Sequence, residues 1–571
     1  MTDHDDLTSG STPDPRPTGP TASTPAAPSY PTAPPTAAYA YPGAVPQAVT
    51  TSGSPTGAPA DAPPHVPTPG VGLSDDGDAP GAAPRGRRTG LVVGGVVAAL
   101  VLGGGAVFAA QRLSGGGAQP ADVLPSDAYA YLRLDIDPSA GQKIAAVRFL
   151  GRLPQVKDTL DSGDPRKKLW DLATKSASSD CLAKVSYDSD IAPWLGDRVG
   201  AALRPGGTAK TPNIAIALQV KDESAAQATL NRLFACDTGG TGTDLRMKDG
   251  YALITPKGAG DATLAAVEKG SLAQNANFSA DMAALGEQGV ASTWFDLGTG
   301  LKEVQNLAGG SGSDMPKLDA ASLAAAKGRI AAALRFDAAY VEMAGVVRGG
   351  DPAMAVKGDG SEIASLPANT MAAINISGAD RMIDKMWPQV KKQVDQLSST
   401  GVDPLAEIEQ QLGLSLPDDL KVLLGRSFTL AAPEQGTSAD IPTVGAKVVS
   451  SDAKRADSLV GRLLETAGAP DGALTHTVDG DKVFVATTPG YADDLKAGGK
   501  LGDTDAFKQA VGDVSAANFT IYVDLDKVAA LTKGSMSGEA KSFLDSLKSA
   551  GVTASSTGTG EGSFSLRLVG D

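Results

Sequence analysis

The sequence predicts an α+β protein: two tandem copies of an antiparallel-sheet-plus-helices unit, preceded by a single transmembrane helix and a disordered N-terminal tail. Three observations predict it. Residues 91–110, LVVGGVVAALVLGGGAVFAA, hold twenty residues without a charge. The residues before them are rich in Pro, Ala, Thr, Ser and Gly and show no apolar periodicity. After residue 121, strand-like and helix-like apolar periods alternate, and the same landmarks recur some 230 residues later.

Twenty apolar residues at about 1.5 Å each reach about 30 Å, the hydrocarbon thickness of a bilayer. Five glycines in the stretch weaken a helix in water, but in lipid the backbone has no other hydrogen-bond partner. Arg85, Arg87 and Arg88 precede the stretch and only Arg112 follows closely. Positive charge stays on the cytoplasmic side, so these arginines set the topology: N-terminus inside, everything after Arg112 outside. Val107-Phe108-Ala109 could pass as a signal-peptide cleavage site, but some ninety preceding residues are far too many for an n-region. An uncleaved signal-anchor is expected. Gly95, Ala99 and Gly103 are spaced by four, which permits close helix pairing.

Residues 1–84 then form a cytoplasmic tail, 90–111 the transmembrane helix, 112–121 a linker around Ser114-Gly115-Gly116-Gly117, 122–355 the first repeat and 362–571 the second. The tail cannot bury enough surface to offset its ordering entropy. Its run Pro31-Thr32-Ala33-Pro34 suits a proline-reading partner, and Thr12-Pro13, Thr24-Pro25 and Thr68-Pro69 suit a kinase. Composition alone produces such motifs, so a solvated spacer is the plainer reading.

The net charge is −15. Residues 1–90 hold eight Asp against four Arg, a balance of −4, so the remainder carries −11. That exterior argues against nucleic acid, which needs a basic footprint. The two cysteines, Cys181 and Cys236, both follow the span; outside the cell they are candidates for one disulfide, with two buried thiols as the alternative. Of three histidines only His476 lies beyond the span. This removes multi-histidine zinc sites, and the alternation around His476 reads as an exposed strand residue near a turn.

The repeat is visible in spacing. Pro212, Asp222, Ala226, Arg232 and Leu233 match Pro442, Asp452, Ala456, Arg462 and Leu463 without a gap. Phe278 matches Phe507, and Trp294-Phe295-Asp296-Leu297 matches Tyr522-Val523-Asp524-Leu525. Strands are expected at 129–136, 214–220, 291–297 and 329–336, with counterparts at 371–376, 444–449, 519–525 and 563–569. Helices are expected at 142–152, 224–234 and 261–268, then at 453–466, 505–512 and 539–550. Turn residues such as Lys248-Asp249-Gly250 and Asp479-Gly480-Asp481 favour antiparallel sheets with helices on one face.

No catalytic, cofactor-binding or metal-binding residue emerges. Asp135-Ile136-Asp137 and Asp524-Leu525-Asp526 end strands before helices; capping explains them better than a hard cation does. Ser451-Asp452-Ala453-Lys454 fits the S-x-x-K pattern but lacks its companion motifs, and a helix N-cap suffices. Trp170, Trp194, Trp294 and Trp387 read as packing residues.

The segment A-D-V-L-P-x-D-A-x-A-Y-L-R-L-D at 121–135, with L-G-D-R-V-G-A-A-L at 195–203 and the helix of 225–234, resembles the actinobacterial membrane-anchored family of domain of unknown function 3352. The resemblance implies a single-pass envelope protein and supplies no site residues. The expected function is a non-enzymatic binding or envelope-associated protein held to the lipid bilayer through residues 91–110. A carboxylate- or cation-dependent envelope hydrolase and a signalling linker through the tail are the alternatives.

Overall fold

Alternating side chains build most of this molecule, because a strand that buries one face repeats every second residue. The computed structural model describes residues 118–153, 185–208, 211–235, 242–311, 327–397, 403–435, 442–468, 472–531 and 537–571, with residues 164, 166, 167, 170, 171 and 470. The tail, residues 90–111, Arg85, Arg87, Arg88, Cys181 and Cys236 lie outside the described residues, and so do the calls made on them. Among the described residues no helix is long and apolar enough to cross a membrane.

The elements run in this order: β1 (Ala130–Asp135), α1 (Ala140–Leu150), β2 (Leu195–Leu203), β3 (Ile214–Val220), α2 (Glu223–Ala235), β4 (Thr243–Lys248), β5 (Tyr251–Pro256), α3 (Gly260–Lys269), α4 (Ala276–Leu285), β6 (Ala291–Asp296), α5 (Leu297–Ser311), β7 (Arg329–Phe336) and β8 (Tyr340–Arg348). There follow α6 (Ser361–Ala364), β9 (Thr370–Ser377), α7 (Ala379–Leu397), α8 (Pro404–Leu412), α9 (Asp418–Leu424), β10 (Ser427–Pro433), β11 (Gly445–Val449), α10 (Ala453–Thr466), β12 (Thr475–Asp479) and β13 (Lys482–Ala486). The chain closes with α11 (Pro489–Ala497), α12 (Asp505–Val511), β14 (Ala517–Asp524), α13 (Leu525–Leu531), α14 (Gly538–Leu544), β15 (Leu547–Ser556) and β16 (Gly562–Gly570).

Among the described residues all sixteen strands join one sheet, in the order β12-β13-β11-β10-β9-β14-β15-β16-β8-β7-β6-β1-β2-β3-β5-β4. The pairings are antiparallel throughout. The first eight strands read 4-5-3-2-1-6-7-8 across the sheet, and the second eight read the same way once eight is added to each number. The two sets meet where β8 pairs β16, from Tyr340 beside Val569 to Val347 beside Gly562.

One side of the sheet is packed by α3, α4, α11 and α12. There Tyr131, Phe278 and Trp294 stack edge to face in the first half, and Phe507 meets Tyr522 in the second. Hairpins turn where expected: Asp249 and Gly250 both take positive φ between β4 and β5, as a two-residue loop requires.

Several expectations need correction. The halves do not form separate sheets; pairing of β8 with β16 removes an edge that each would otherwise expose. Helices are not confined to one face, since α2 and α10 cover the outer strands on the other. The helix expected at 539–550 stops at Leu544, and residues from Leu547 alternate as β15. By strand order β15, not β16, corresponds to β7. The linker is docked by its last residues, because Ala118 accepts a hydrogen bond from the Tyr251 hydroxyl (2.7 Å) and Ala121 is buried.

Candidate functional site

The register of the sheet brings together residues that lie far apart in sequence. Across β7, β8, β16, β15, β14, β9 and β10, one row reads Leu334, Met343, Leu566, Val552, Ile521, Ile374 and Leu430. The next row on the same face reads Phe336, Val341, Leu568, Ala550, Val523, Ala372 and Ala432. On the other side of the central row stand Ala332, Gly345, Phe564, Ala554, Phe519, Ile376 and Phe428. Three rows of seven positions hold no polar side chain. At about 4.8 Å per strand and about 3.4 Å per residue the patch measures roughly 29 by 14 Å.

The centre of this patch faces solvent, whereas Phe336, Ala332 and Gly345 at its margins are buried. Met343, Leu566, Leu430 and Ile374 are 44%, 43%, 42% and 37% exposed in the middle of a sheet, where such side chains are normally covered. The opposite side of the same strands is inverted. Asn375, Thr429, Ser427, Thr520, Thr553 and Ser549 point into the packed side and are buried. Most of their hydrogen bonds are made locally: Asn375 Nδ2 donates to Ser427 Oγ (2.9 Å) and Thr429 Oγ1 (2.8 Å), and Thr553 and Ser549 donate to carbonyls of Val511 (2.8 Å) and Ala506 (2.9 Å), while Thr520 Oγ1 and Asn375 Oδ1 have no partner among the described residues. Small hydroxyl side chains and Gly551 let α12 sit close to the sheet. The apolar residues of these strands are thereby placed on the open side.

Helices stand around the open patch on its own side. Along one flank α2 and Trp194 pack on β2, β3, β4 and β5 through Ile216, Leu218, Ile254 and Met247. Along the other, α9 and α10 pack on Val448, Val483 and Phe428. At one end α1 sets Phe149 against Phe336, ring centroids 6.0 Å apart, within a cluster that takes in Val341, Leu568 and Leu525 of α13. At the other end α5 carries Gly300, against which the Phe295 ring rests, and α7 departs from β9 to pack on α9. The patch is the floor of a basin.

The charged groups are held elsewhere, in fixed pairs. Glu342 lies under the floor between Arg335 (2.6 Å) and Arg567 (2.9 Å) and accepts from Ser565 (2.8 Å). Burial pushes its carboxyl up, but the two guanidiniums outweigh burial and hold it below the usual range. Asp281 receives Arg329 (2.6 Å) and the Trp294 indole (2.9 Å). Lys447, buried in β11, reaches Glu362 (2.8 Å) and Ser365 Oγ (2.7 Å); burial pushes its ammonium down.

The residues singled out from sequence are scattered. Asp524 caps α13 by accepting from the Lys527 amide (3.1 Å). Asp135 is instead ion-paired with Arg133 and with Arg198 (3.0 Å), and Asp137 with Lys143. Asp452 caps α10 through the Arg455 amide (3.0 Å). His476 sits on β12 with Nδ1 2.7 Å from Asp457. Trp194 and Trp294 are buried, whereas Trp387 is half-buried on α7. Among the described residues no group of three acidic, cysteine or histidine side chains could hold a metal. A shallow cleft of about 580 Å³ lies between Arg152 and α14, lined also by Lys541, Asp545 and Asp571. On the neighbouring α13, Asp526 has its carboxyl pushed up by partial desolvation and by Asp571 and Asp524. Sequence reasoning missed the floor. Its signal was the apolar alternation of β9, β14 and β16, which marks one apolar face on each strand without saying whether that face is covered.

The fold and the floor define an antiparallel α+β protein with an open apolar sheet face. Residues 91–273 match the model of a protein family of unknown function, DUF3352. The match runs from the first residue of the apolar stretch to just beyond α3 and takes in five of the sixteen strands. No curated protein and no solved structure matches the chain.

Proposed function

We propose that this chain is a non-enzymatic binding protein of the cell envelope whose working surface is the apolar floor. The observation that carries the reading is three rows of seven apolar positions, solvent-facing at their centre, over a buried hydroxyl layer. Met343, Leu566, Ile374 and Leu430 lying open side by side at its centre mark an interaction surface. The ion-paired state of the buried carboxylates supports binding over catalysis. Asp526 is the observation that favours the hydrolase alternative; Asp526→Asn abolishing turnover of an envelope substrate would establish it.

We further read residues 91–110 as a single span with the tail in the cytoplasm and the described part outside. Its length and the preceding arginines support this. The described part is read as a tandem duplication. Three facts favour it: the repeated strand order, the matching ring pairs Phe278–Trp294 and Phe507–Tyr522, and the joining of β8 to β16, the corresponding strands.

The test uses the full chain reconstituted in lipid vesicles and titrated with an environment-sensitive anilinonaphthalene dye. Leu566→Asp and Ile374→Asp should each remove at least about half of the saturable signal above that of vesicles, because a carboxylate on the floor repels apolar contact. Ile408→Asp, on exposed α8 and outside the three rows of the floor, should leave it unchanged. Equal signals from all three variants would reject the floor as the working surface.

A further inference from the structure

We infer that the basin receives the alkyl chains of a long-chain amphiphile. The inference rests on the open-face reading above and names its occupant.

The chemistry of the floor selects among occupants. A peptide or a saccharide brings amides or hydroxyls that must find partners once water is displaced. The floor offers none: its side chains are apolar, and its strands hydrogen-bond to strands on both sides, so there is no free edge for strand addition. An alkyl chain has nothing to satisfy and gains only from contact, which is all that the floor provides.

The shape selects further. A helix is about 10 Å across, so the floor lies about that far below the crests of α1, α2 and α10. Two sheets pack face to face at about 10 Å. Two basins set mouth to mouth would hold their floors about 20 Å apart, twice that distance, because the surrounding helices meet first. A second copy therefore cannot cover the floor by apposition, and a flat bilayer surface is held off in the same way. A slender chain fits. The Phe564 ring fills the space over Gly345, but elsewhere the floor alternates large and small positions, with Leu568 and Val523 flanking Ala550. This leaves shallow furrows between ridges. The long dimension, about 29 Å, is close to the 30 Å hydrocarbon depth that two chains end to end span in a bilayer.

The experiment keeps the full chain in the membranes of the cells that make it. A diazirine-bearing hexadecanoic acid is supplied, photolysed, and its adducts are located by peptide mass spectrometry. Adducts are expected on peptides of β8, β9 and β16 that contain Met343, Ile374 and Leu566. Their yield should fall about tenfold in Leu566→Asp and in Ile374→Asp, a change equivalent to 1.4 kcal/mol, and stay level in Ile408→Asp. Resistance of the folded part to protease checks that each variant folds. Adducts confined to residues 91–110 would overturn the inference. If the dye signal still depended on the floor, the occupant alone would be wrong; if it did not, the open-face reading would fall with it. Crosslinks joining the floors of two chains would assign the surface to a second copy instead.

Discussion

Glu342 shows how single residues hold this sheet where its halves join. Its carboxylate lies in a row with Arg335 and Arg567, one on each neighbouring strand, so three strands are tied by one buried charge. Removing one member of such a group leaves the others uncompensated. Glu342→Gln should therefore lower the stability of the reconstituted chain by about 3 kcal/mol in urea unfolding followed by tryptophan fluorescence. The pH dependence has a definite sign. The folded carboxyl is held below its unfolded value, so its stabilisation is complete above the unfolded value near 4.5. It is lost as pH falls through the folded value. The parent should lose stability progressively on acidification below about pH 4.5, and Glu342→Gln should lose less over the same range; parallel curves would show that another carboxylate carries the effect. None of this was legible in sequence, where Glu342 is one acidic residue in an alternating strand. Asp524 was legible as a cap, because capping is decided within three residues. Asp135 was not, because Arg198 comes from the adjacent strand, sixty-three residues on.

At the scale of elements, strands β1, β3, β6, β7, β9, β11, β14 and β16 fall close to the alternating segments of the sequence, and α10 falls on residues 453–466 as expected. Periodicity failed at residues 547–550, where Leu547 and Ser549 are equally consistent with a helical continuation. Pairing with β14 and β16 decides for a strand. The face on which each strand is buried was also hidden, since an alternating strand has one apolar face whether or not anything covers it. Gly345 tests the packing between β8 and β16. The Phe564 ring lies over it, and an added methyl group would strike the ring and approach the Ala331 carbonyl. Gly345→Ala should cost about 1–3 kcal/mol through this overpacking. Hydrogen exchange should show faster amides in β8 and β16 while α10 and β12 keep their protection; unchanged exchange would mean that Phe564 moves aside freely.

At the scale of the whole molecule, pairing of β8 with β16 makes two eight-strand sets one cooperative structure. The described part should unfold in a single calorimetric transition. Val346→Pro inserts a residue without an amide donor into β8, which is paired on both sides, at a cost of about 3 kcal/mol or more. That variant should separate the melting of the two sets, and two transitions already present in the parent would refute the fusion. Membrane topology belongs to the same scale. Protease added to intact cells should cut the exterior part and spare the proline-rich tail; the reverse pattern would invert the proposed orientation.

The sequence by itself determined the strands and helices with a clear period, the antiparallel turns and the caps at Asp452 and Asp524, because these depend on residues within a few positions of one another. It also carried the apolar stretch and its flanking arginines, on which the membrane reading rests. Only the tertiary structure decided that sixteen strands share one sheet, that Glu342 and Asp281 are held by arginines, and that the apolar side of the central strands lies open. Burial is a relation between distant segments. Alternation states that a strand has two unlike faces, and packing alone determines which of them meets water.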